Sequence, residues 1–244
     1  MQITKMLVPK ERYDIKCPYE MEPEFIVVHN SYNDASAMAE VSYMIGNNNK
    51  TSFHCAIDNV QIVQGIPFDR NSWNAGDGRN GKGNRKGISI EICYSKSGGE
   101  RFDEAEKLAA EYIAYLLKQY NWGIDRVKKH QDFANKYCPH RTLELGWDRF
   151  LNMIRSYLKD KPIENEDTEN NENGSDEEVK RYQNGSTTEV VYADTACTKR
   201  IGSLDPRESC DCFGIFNDRA MVRYKVNGTN NYKIGFCKWL GGVK

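Results

Sequence analysis

The sequence of 244 residues contains no long apolar run. No stretch approaches the ~20 apolar residues that a transmembrane helix needs, so membrane insertion is excluded as a role. The N-terminal segment has no apolar core of the ~7–15 residues found in secretory signal peptides. We therefore expect a protein that is kept in the cytoplasm or exported by a route other than Sec. In a reducing compartment its eight cysteines are expected as thiols or metal ligands, not disulfides.

Motifs of several common enzyme classes are also missing. The chain has no His-Glu-x-x-His pair of zinc proteases, no Gly-x-x-x-x-Gly-Lys-Ser/Thr phosphate loop and no Gly-x-Ser-x-Gly nucleophile elbow. Only four histidines are present: His29, His54, His130 and His140. A site built on imidazole groups therefore has few candidates.

The charge of the chain is unevenly distributed, although its net value is only −1. Residues 160–178 carry nine acidic side chains and one lysine, whereas residues 179–244 carry eleven basic and six acidic side chains. The acidic stretch has little to bury and repels itself, which predicts a flexible linker. We therefore predict a first domain over 1–159, a linker over 160–178 and a small domain over 179–244. The mildly basic small domain suits an anionic polymer, and nothing indicates a nucleic acid.

Short apolar runs alternate with helical patterns in the first domain. The patterns predict strands over 24–29 and 87–93, a hairpin over 52–64, and helices over 35–45, 103–120 and 147–158. Asp103 and Glu106 are spaced as a capping box at the start of the second helix. The alternation predicts an α/β fold with a central mixed sheet flanked by helices. Short β-branched and aromatic runs after residue 179 predict a small all-β barrel.

Two features between the predicted strands have alternative interpretations. A glycine-rich segment from Trp73 to Gly83 is either a shaped loop that contacts a ligand or a simple connector. Glu91 interrupts a run of isoleucines, so it either points into solvent from an edge strand or faces a polar cavity.

The stretch from Lys129 to His140 carries most of the metal-binding residue types. His29 ends one predicted strand and His130 ends another strand-like run, so both can project into one cleft beside Cys138. Two histidines and a thiolate leave a fourth tetrahedral position open, as in a catalytic zinc site. Zinc would lower the pKa of water towards ~7, Glu91 would take its proton, and Lys136 would stabilise an oxyanion. The alternative is a buried histidine and an inert thiol.

Four further cysteines lie in the last domain: Cys197, Cys210, Cys212 and Cys237. They either form a second zinc site or are buried thiols. The single residue between Cys210 and Cys212 departs from the usual spacing of two to four, which favours buried thiols.

Five blocks of sequence, in order, resemble the zinc-dependent N-acetylmuramoyl-L-alanine amidases. The blocks are Ile26-Val27-Val28-His29-Asn30, Ser52-Phe53-His54-Cys55-Ala56-Ile57-Asp58, Trp73-Asn74-Ala75-Gly76, Asn84 with Gly87-Ile88-Ser89-Ile90-Glu91-Ile92, and the stretch from His130 to Cys138. Within that family the chain looks like a phage endolysin. The last domain resembles, through shorter motifs, the SH3-like cell-wall-binding modules attached to clostridial phage lysins.

The resemblance assigns roles to individual residues. It implies that His29, His130 and Cys138 are zinc ligands, that Glu91 is the general base and that Lys136 supports the oxyanion. Some family members carry a tyrosine in the role that the resemblance assigns to Glu91.

Other positions in the matching blocks are implied as substrate contacts. Trp73 and Asn84 are expected to bind substrate; His54 falls on a substrate-facing position but also suits a packing role. The family's common Trp-His-Ala-Gly is Trp-Asn-Ala-Gly in this chain, and His140 matches no catalytic position.

The resemblance also implies a substrate and partners. The expected reaction is hydrolysis of the amide between the lactyl group of N-acetylmuramic acid and L-alanine of the stem peptide in bacterial peptidoglycan. The small domain is expected to bind a cell-wall polymer. The enzyme is expected to wait in the host cytoplasm until a holin opens the membrane. The alternatives are a non-catalytic peptidoglycan-recognition protein on the same fold, or a bacterial autolysin with the same activity.

Overall fold

The computed structural model describes residues 3–159, 181–192, 197, 200–216, 219–226, 229 and 232–238. The chain divides into two compact units. One comprises residues 1–45 and 49–163, and the other comprises residues 46–48 and 164–244. The linker predicted over 160–178 lies outside the described residues.

A six-stranded mixed sheet forms the centre of the first unit. Its strands run in the order β1-β4-β3-β5-β2-β6. They are β1 (Ile3–Lys5), β2 (Phe25–Asn30), β3 (Cys55–Ile57), β4 (Ile62–Gln64), β5 (Gly87–Ile92) and β6 (Val127–Lys129). Strand β2 is parallel to both β5 and β6, and β3 forms an antiparallel hairpin with β4. All six residues of β2 are buried, as expected for a parallel strand covered on both faces.

Six α-helices accompany this sheet in the described part of the first unit. They are α1 (Tyr13–Lys16), α2 (Ala37–Gly46), α3 (Lys82–Lys86), α4 (Glu100–Gln119), α5 (His140–Leu145) and α6 (Trp147–Lys159). Helices α4 and α6 pack against each other. The predicted α/β class with a mixed sheet and flanking helices is confirmed. Within the described part of the chain, no helix combines the length and apolar character needed to cross a membrane.

The start of α4 differs from the sequence prediction. The helix begins at Glu100 after Gly99, so Asp103 lies inside the first turn and is not the N-cap. Glu106, the other half of the predicted capping box, is buried and its carboxylate pairs with Arg149 of α6. The spacing was misleading because a buried interhelical ion pair requires an acidic residue at the same place.

A second six-stranded sheet forms the described part of the other unit. Its strands are β7 (Arg181–Gln183), β8 (Glu189–Tyr192), β9 (Arg200–Leu204), β10 (Ser209–Phe216), β11 (Arg219–Lys225) and β12 (Tyr232–Lys238). They run in the order β7-β10-β11-β12-β8-β9, with every pair antiparallel. The all-β character agrees with the prediction. Among the described residues, β7 and β9 at the two ends of this order do not pair, so a closed barrel is not established.

Three of the four cysteines of this second unit lie in its core, and the fourth, Cys197, is half-buried. Cys210, Cys212 and Cys237 are buried and share one apolar cluster with Tyr182 and Val222. They do not form a metal-ligating group in the part of the chain that the structure describes. Their placement favours buried thiols over a second zinc site.

Candidate metal centre and active site

Strands β2 and β5 bring a histidine and a glutamate to the same level of the sheet. His29 and Glu91 are register partners on these adjacent parallel strands. Because β5 lies between β3 and β2, Glu91 is not on an edge strand. The glutamate is half-buried, and its Oε2 atom is buried without a hydrogen-bond partner among the described residues. Of the two alternatives considered for Glu91, the structure supports the polar cavity.

The short strand β6 and the 3-10 helix after it bring His130 beside His29. The Nδ1 atoms of the two rings are 3.0 Å apart. The chain then loops back, and the Sγ atom of Cys138 lies 4.0 Å from Nδ1 of His29. All three side chains are buried, with ligand atoms within 4.8 Å of one another. Over the described ranges, no other group of three metal-ligating side chains exists.

The spacing of these atoms fits a tetrahedral metal site. A zinc ion with Zn–N bonds of ~2.0–2.1 Å and a Zn–S bond of ~2.3 Å separates two nitrogen ligands by about 3.4 Å and nitrogen from sulfur by about 3.6 Å. The distances of 3.0 Å and 4.0 Å lie on either side of these values. The remaining tetrahedral position has no protein ligand in this group, as in catalytic sites that admit water.

The protonation states of the two histidines also suit a metal. Burial, followed by repulsion from His130 in its protonated form and from Lys136, holds the pKa of His29 well below its usual value. Burial and the charge of Lys136 lower the pKa of His130 to about 4. Both rings are therefore neutral at pH 7, and a neutral ring offers the lone pair that a metal ion needs.

The carboxyl group of Glu91 has a raised pKa. Burial raises its pKa to about 7, although the hydrogen bond from Asn74 and the charge of Lys136 oppose the shift. The charge of Glu40 adds to it. A base with a pKa near the working pH combines a useful ionised fraction with a strong tendency to take a proton.

Lys136 supplies a positive charge at this site from an exposed loop. Its charge contributes to the lowered pKa of His29 and His130, and it partly opposes the rise that burial causes in the pKa of Glu91 and Cys138. The side chain itself is exposed, unlike the buried ligands. It can therefore reach a substrate that enters the site from solvent.

The glycine-rich segment is a shaped loop that lies against the candidate metal-ligand cluster of His29, His130 and Cys138. A Cβ atom at Gly76 would lie 3.2 Å from Nε2 of His130, which shows how closely the loop approaches. The carboxylate of Asp77 accepts hydrogen bonds from the backbone of Gly83 and Asn84, so the loop is closed by its own side chain. This construction supports the functional alternative over a simple connector.

Sequence comparison identifies the family of the domain that holds this cluster. The family model described as N-acetylmuramoyl-L-alanine amidase matches residues 19–141, a range that includes His29, Glu91, His130, Lys136 and Cys138.

The chain belongs to the N-acetylmuramoyl-L-alanine amidase family.

Individual relatives agree with this membership. N-acetylmuramoyl-L-alanine amidase CwlA of Bacillus subtilis is 55% identical over 160 residues, which cover 65% of this chain and 59% of CwlA. N-acetylmuramoyl-L-alanine amidase XlyB of Bacillus subtilis is 56% identical over 157 residues, covering 64% of this chain and 50% of XlyB. The solved structure of PlyL is 52% identical, with a TM-score of 0.63, and the match covers 64% of this chain and 99% of PlyL. The chain thus spans 50–59% of the length of these two curated relatives.

Asn84 and Trp73, predicted as substrate contacts of this amidase domain, have different surroundings. Asn84 is buried; its Oδ1 atom accepts hydrogen bonds from the backbone of Asn74 and Ala75, and its Nδ2 donates to the carbonyl of Gly78. Its amide is therefore used to hold the loop, which differs from a direct contact with substrate. Trp73 is half-buried and packs edge-on against Tyr19, with ring centroids 5.9 Å apart.

His54 lies inside the amidase domain and away from solvent. Its exposed fraction is 0%. Its Nδ1 atom accepts a hydrogen bond from the backbone of Ser89, and its Nε2 lies 2.8 Å from the carbonyl of Arg70. Both nitrogens are used within the protein, which favours the packing role over the predicted substrate contact.

His140 is not part of the metal-ligand cluster. Its Nε2 atom lies 3.1 Å from the carbonyl of Ser95, and its ring meets Tyr32 edge-on at 4.8 Å between centroids. The histidine that matches no catalytic position of the family therefore has structural contacts instead.

Asn74 is the residue at this amidase site whose importance sequence reasoning missed. Its side chain donates a hydrogen bond to Glu91. The available signal was its place in the Trp-Asn-Ala-Gly block, but the pattern could not show that the loop folds back over β5.

Proposed function

We propose that this chain hydrolyses the amide bond between the lactyl group of N-acetylmuramic acid and L-alanine of the stem peptide in bacterial peptidoglycan. The observation that supports the proposal is the register pairing of Glu91, whose pKa burial raises to about 7, with His29 of the group His29, His130 and Cys138. CwlA and XlyB are both named N-acetylmuramoyl-L-alanine amidases, which supports the same bond as the target.

We also propose that the cofactor is Zn²⁺, held by His29, His130 and Cys138. When bound there, zinc supplies a Lewis acid that lowers the pKa of water and polarises a carbonyl oxygen. The donor set of two neutral imidazoles and one thiol supports zinc over magnesium or calcium, which prefer oxygen ligands.

Two side chains near this cluster would have separate roles: Glu91 would transfer protons and Lys136 would stabilise negative charge. Glu91 takes a proton from the attacking water and later delivers it to the nitrogen that leaves as the amino group of L-alanine. Its Oε2 atom, which has no hydrogen-bond partner in the described part of the chain, is the oxygen available for this transfer. Lys136 places its ammonium group near the carbonyl oxygen and stabilises the negative charge that develops there. Trp73 would contact the substrate from the glycine-rich loop.

Digestion of purified peptidoglycan tests the reaction. We expect new L-alanine amino groups to accumulate without new reducing sugar ends. An increase in reducing ends would show glycan cleavage and overturn the assignment. The Glu91→Gln variant keeps an oxygen for the bond from Asn74 but cannot take a proton, so it should lose lysis and retain wall binding. Glu144→Gln changes an exposed glutamate and should leave lysis unchanged.

The same preparations separate catalysis from recognition alone. A non-catalytic peptidoglycan-recognition protein would bind walls but release no amino groups with zinc present. Such a result would replace the hydrolase proposal.

For residues 179–244 we propose an SH3-like fold that binds a cell-wall polymer. The antiparallel sheet and its compact core support a self-contained domain. The whole chain should sediment with purified walls, whereas residues 1–159 alone should hydrolyse them and sediment poorly. The PlyL match, which spans 99% of that chain, supports independent folding of the first part. Equal sedimentation of both proteins would contradict a wall-binding role for residues 179–244.

We propose that the enzyme leaves the host cytoplasm when a holin opens the membrane. Expression inside a bacterial host should cause lysis only when a holin is expressed with it. Lysis without a holin would favour an autolysin that reaches the wall by another route.

A further inference from the structure

The side chain of Asn74 joins two residues on the same face of β5. Its Nδ2 atom lies 2.6 Å from Oγ of Ser89 and 3.1 Å from Oε1 of Glu91. Ser89 and Glu91 are two positions apart on one strand, so their side chains project to the same side. The hydroxyl of Ser72 donates to Oδ1 of Asn74, which leaves both Nδ2 protons for the two acceptors on β5.

The backbone of Asn74 is also fixed. Its N–H donates to Oδ1 of the buried Asn84 at 3.1 Å, and the N–H of Trp73 donates to Oγ of the buried Ser52 at 3.0 Å. Asn74 is therefore fixed twice: the loop holds its backbone, and Ser89 and Glu91 of β5 hold its side chain. A donor fixed in this way needs little reorganisation to hold a carboxylate in one orientation.

We propose that Asn74 is a positioning residue that fixes the orientation of Glu91 for proton transfer, an inference that rests on the proposed hydrolase function. Asn74 donates a hydrogen bond to Oε1 of Glu91. The Oε2 atom of Glu91 is therefore the oxygen that can take and return the proton. An amide does not titrate near neutral pH, so Asn74 acts through hydrogen bonds and does not itself transfer a proton. Ser89 completes the arrangement by holding the second Nδ2 proton.

The proposal predicts a specific kinetic defect in the full-length, zinc-loaded protein. Asn74→Ala removes both Nδ2 donors without adding a charge beside Glu91, and it should lower kcat on purified peptidoglycan by about tenfold to a hundredfold. KM and zinc content should stay at wild-type values, because Asn74 contacts neither the substrate nor a metal ligand in this scheme. Asn80→Ala, an exposed asparagine of the same loop, is the matched control and should leave all three quantities unchanged.

A double-mutant cycle distinguishes positioning from a general loss of structure. Ser89→Ala should lower kcat by a smaller factor, and this factor should disappear when Asn74 is already alanine. Independent, multiplicative effects would overturn the proposal. So would an Asn74→Ala variant with wild-type kcat, or one that changes only KM or the melting temperature. A wild-type protein that releases no L-alanine amino groups would instead overturn the proposed function, so the two failures are distinguishable.

Discussion

His29 on β2 and Glu91 on β5 are register partners on two adjacent parallel strands. Their relative position is therefore fixed by backbone hydrogen bonds in the middle of the sheet and does not depend on a loop. The two other proposed ligands beside His29 lie outside the strands. His130 begins a 3-10 helix, and Cys138 lies in the loop before α5. A rigid pair and two residues on connecting segments together form the site.

Removing the thiol should remove the metal. Cys138→Ala takes away one of three ligand atoms that lie within 4.8 Å of one another. We expect zinc affinity to fall by more than about a hundredfold, because the loss of supporting hydrogen bonds alone costs 10–100-fold in other metal sites. His140→Ala is the control, since its ring lies outside the cluster. Zinc titration with a competing chelator measures both variants, and equal affinities would contradict the ligand assignment.

Much of this architecture was predictable because the strands that hold the rigid pair are continuous apolar runs. Phe25–Asn30 and Gly87–Ile92 read as buried strands, and both are strands in the structure. The roles of the ligands followed from resemblance, since a histidine and a cysteine eight residues apart are a weak signal on their own. Asn74 was missed because hydrogen bonds between a loop and a strand leave no periodic pattern.

In the second unit, the pattern of apolar residues fails to predict one strand for a different reason. Strand β10, Ser209–Phe216, was not predicted because Asp211 interrupts its apolar residues. In the structure Asp211 pairs with Arg181 on β7 and Arg223 on β11, both neighbours of β10. Cross-strand ion pairs stabilise this strand, and their partners lie too far along the sequence to be recognised.

Lys136 should affect catalysis without affecting the metal. Lys136→Met keeps much of the side chain but removes the charge proposed to stabilise the oxyanion, so we expect kcat to fall by about 10²–10³-fold. Zinc content should be unchanged, because Lys136 is not a ligand. Lys107→Met alters an exposed lysine of α4 and should retain wild-type kcat. Loss of activity accompanied by loss of zinc would indicate a structural role for Lys136.

His54 should make the protein less stable in mild acid. Burial lowers its pKa to about 4, whereas the unfolded chain takes up this proton near pH 6.5. Between these values the unfolded state binds more protons, so the free energy of unfolding should fall by up to about 1.4 kcal/mol for each unit of pH decrease from this residue. Urea unfolding of His54→Gln at pH 7.5 and pH 5 should show a correspondingly smaller pH effect. A variant as acid-sensitive as the wild type would contradict this account.

Two glycines of one loop offer a test of how closely the loop must approach the metal ligands. Gly76 and Gly78 have φ values of +74° and +80°, so alanine is strained at both positions. An alanine Cβ at position 76 would lie 2.9 Å from Cβ of Ala134 and 3.2 Å from Nε2 of His130, whereas at position 78 no atom of the described residues would lie within 4 Å of it. Both variants should lose a similar amount of stability from backbone strain.

Only Gly76→Ala should also displace His130, and we expect it to weaken zinc binding and lower kcat by about tenfold or more. Gly78→Ala should keep wild-type zinc affinity, since the added methyl group projects into open space. Thermal unfolding, zinc titration and peptidoglycan hydrolysis on both variants separate strain from displacement. Equal zinc affinities would show that the loop can move away from His130 without cost to the site. The close approach of Gly76 would then be a consequence of the fold and not a requirement of the metal centre.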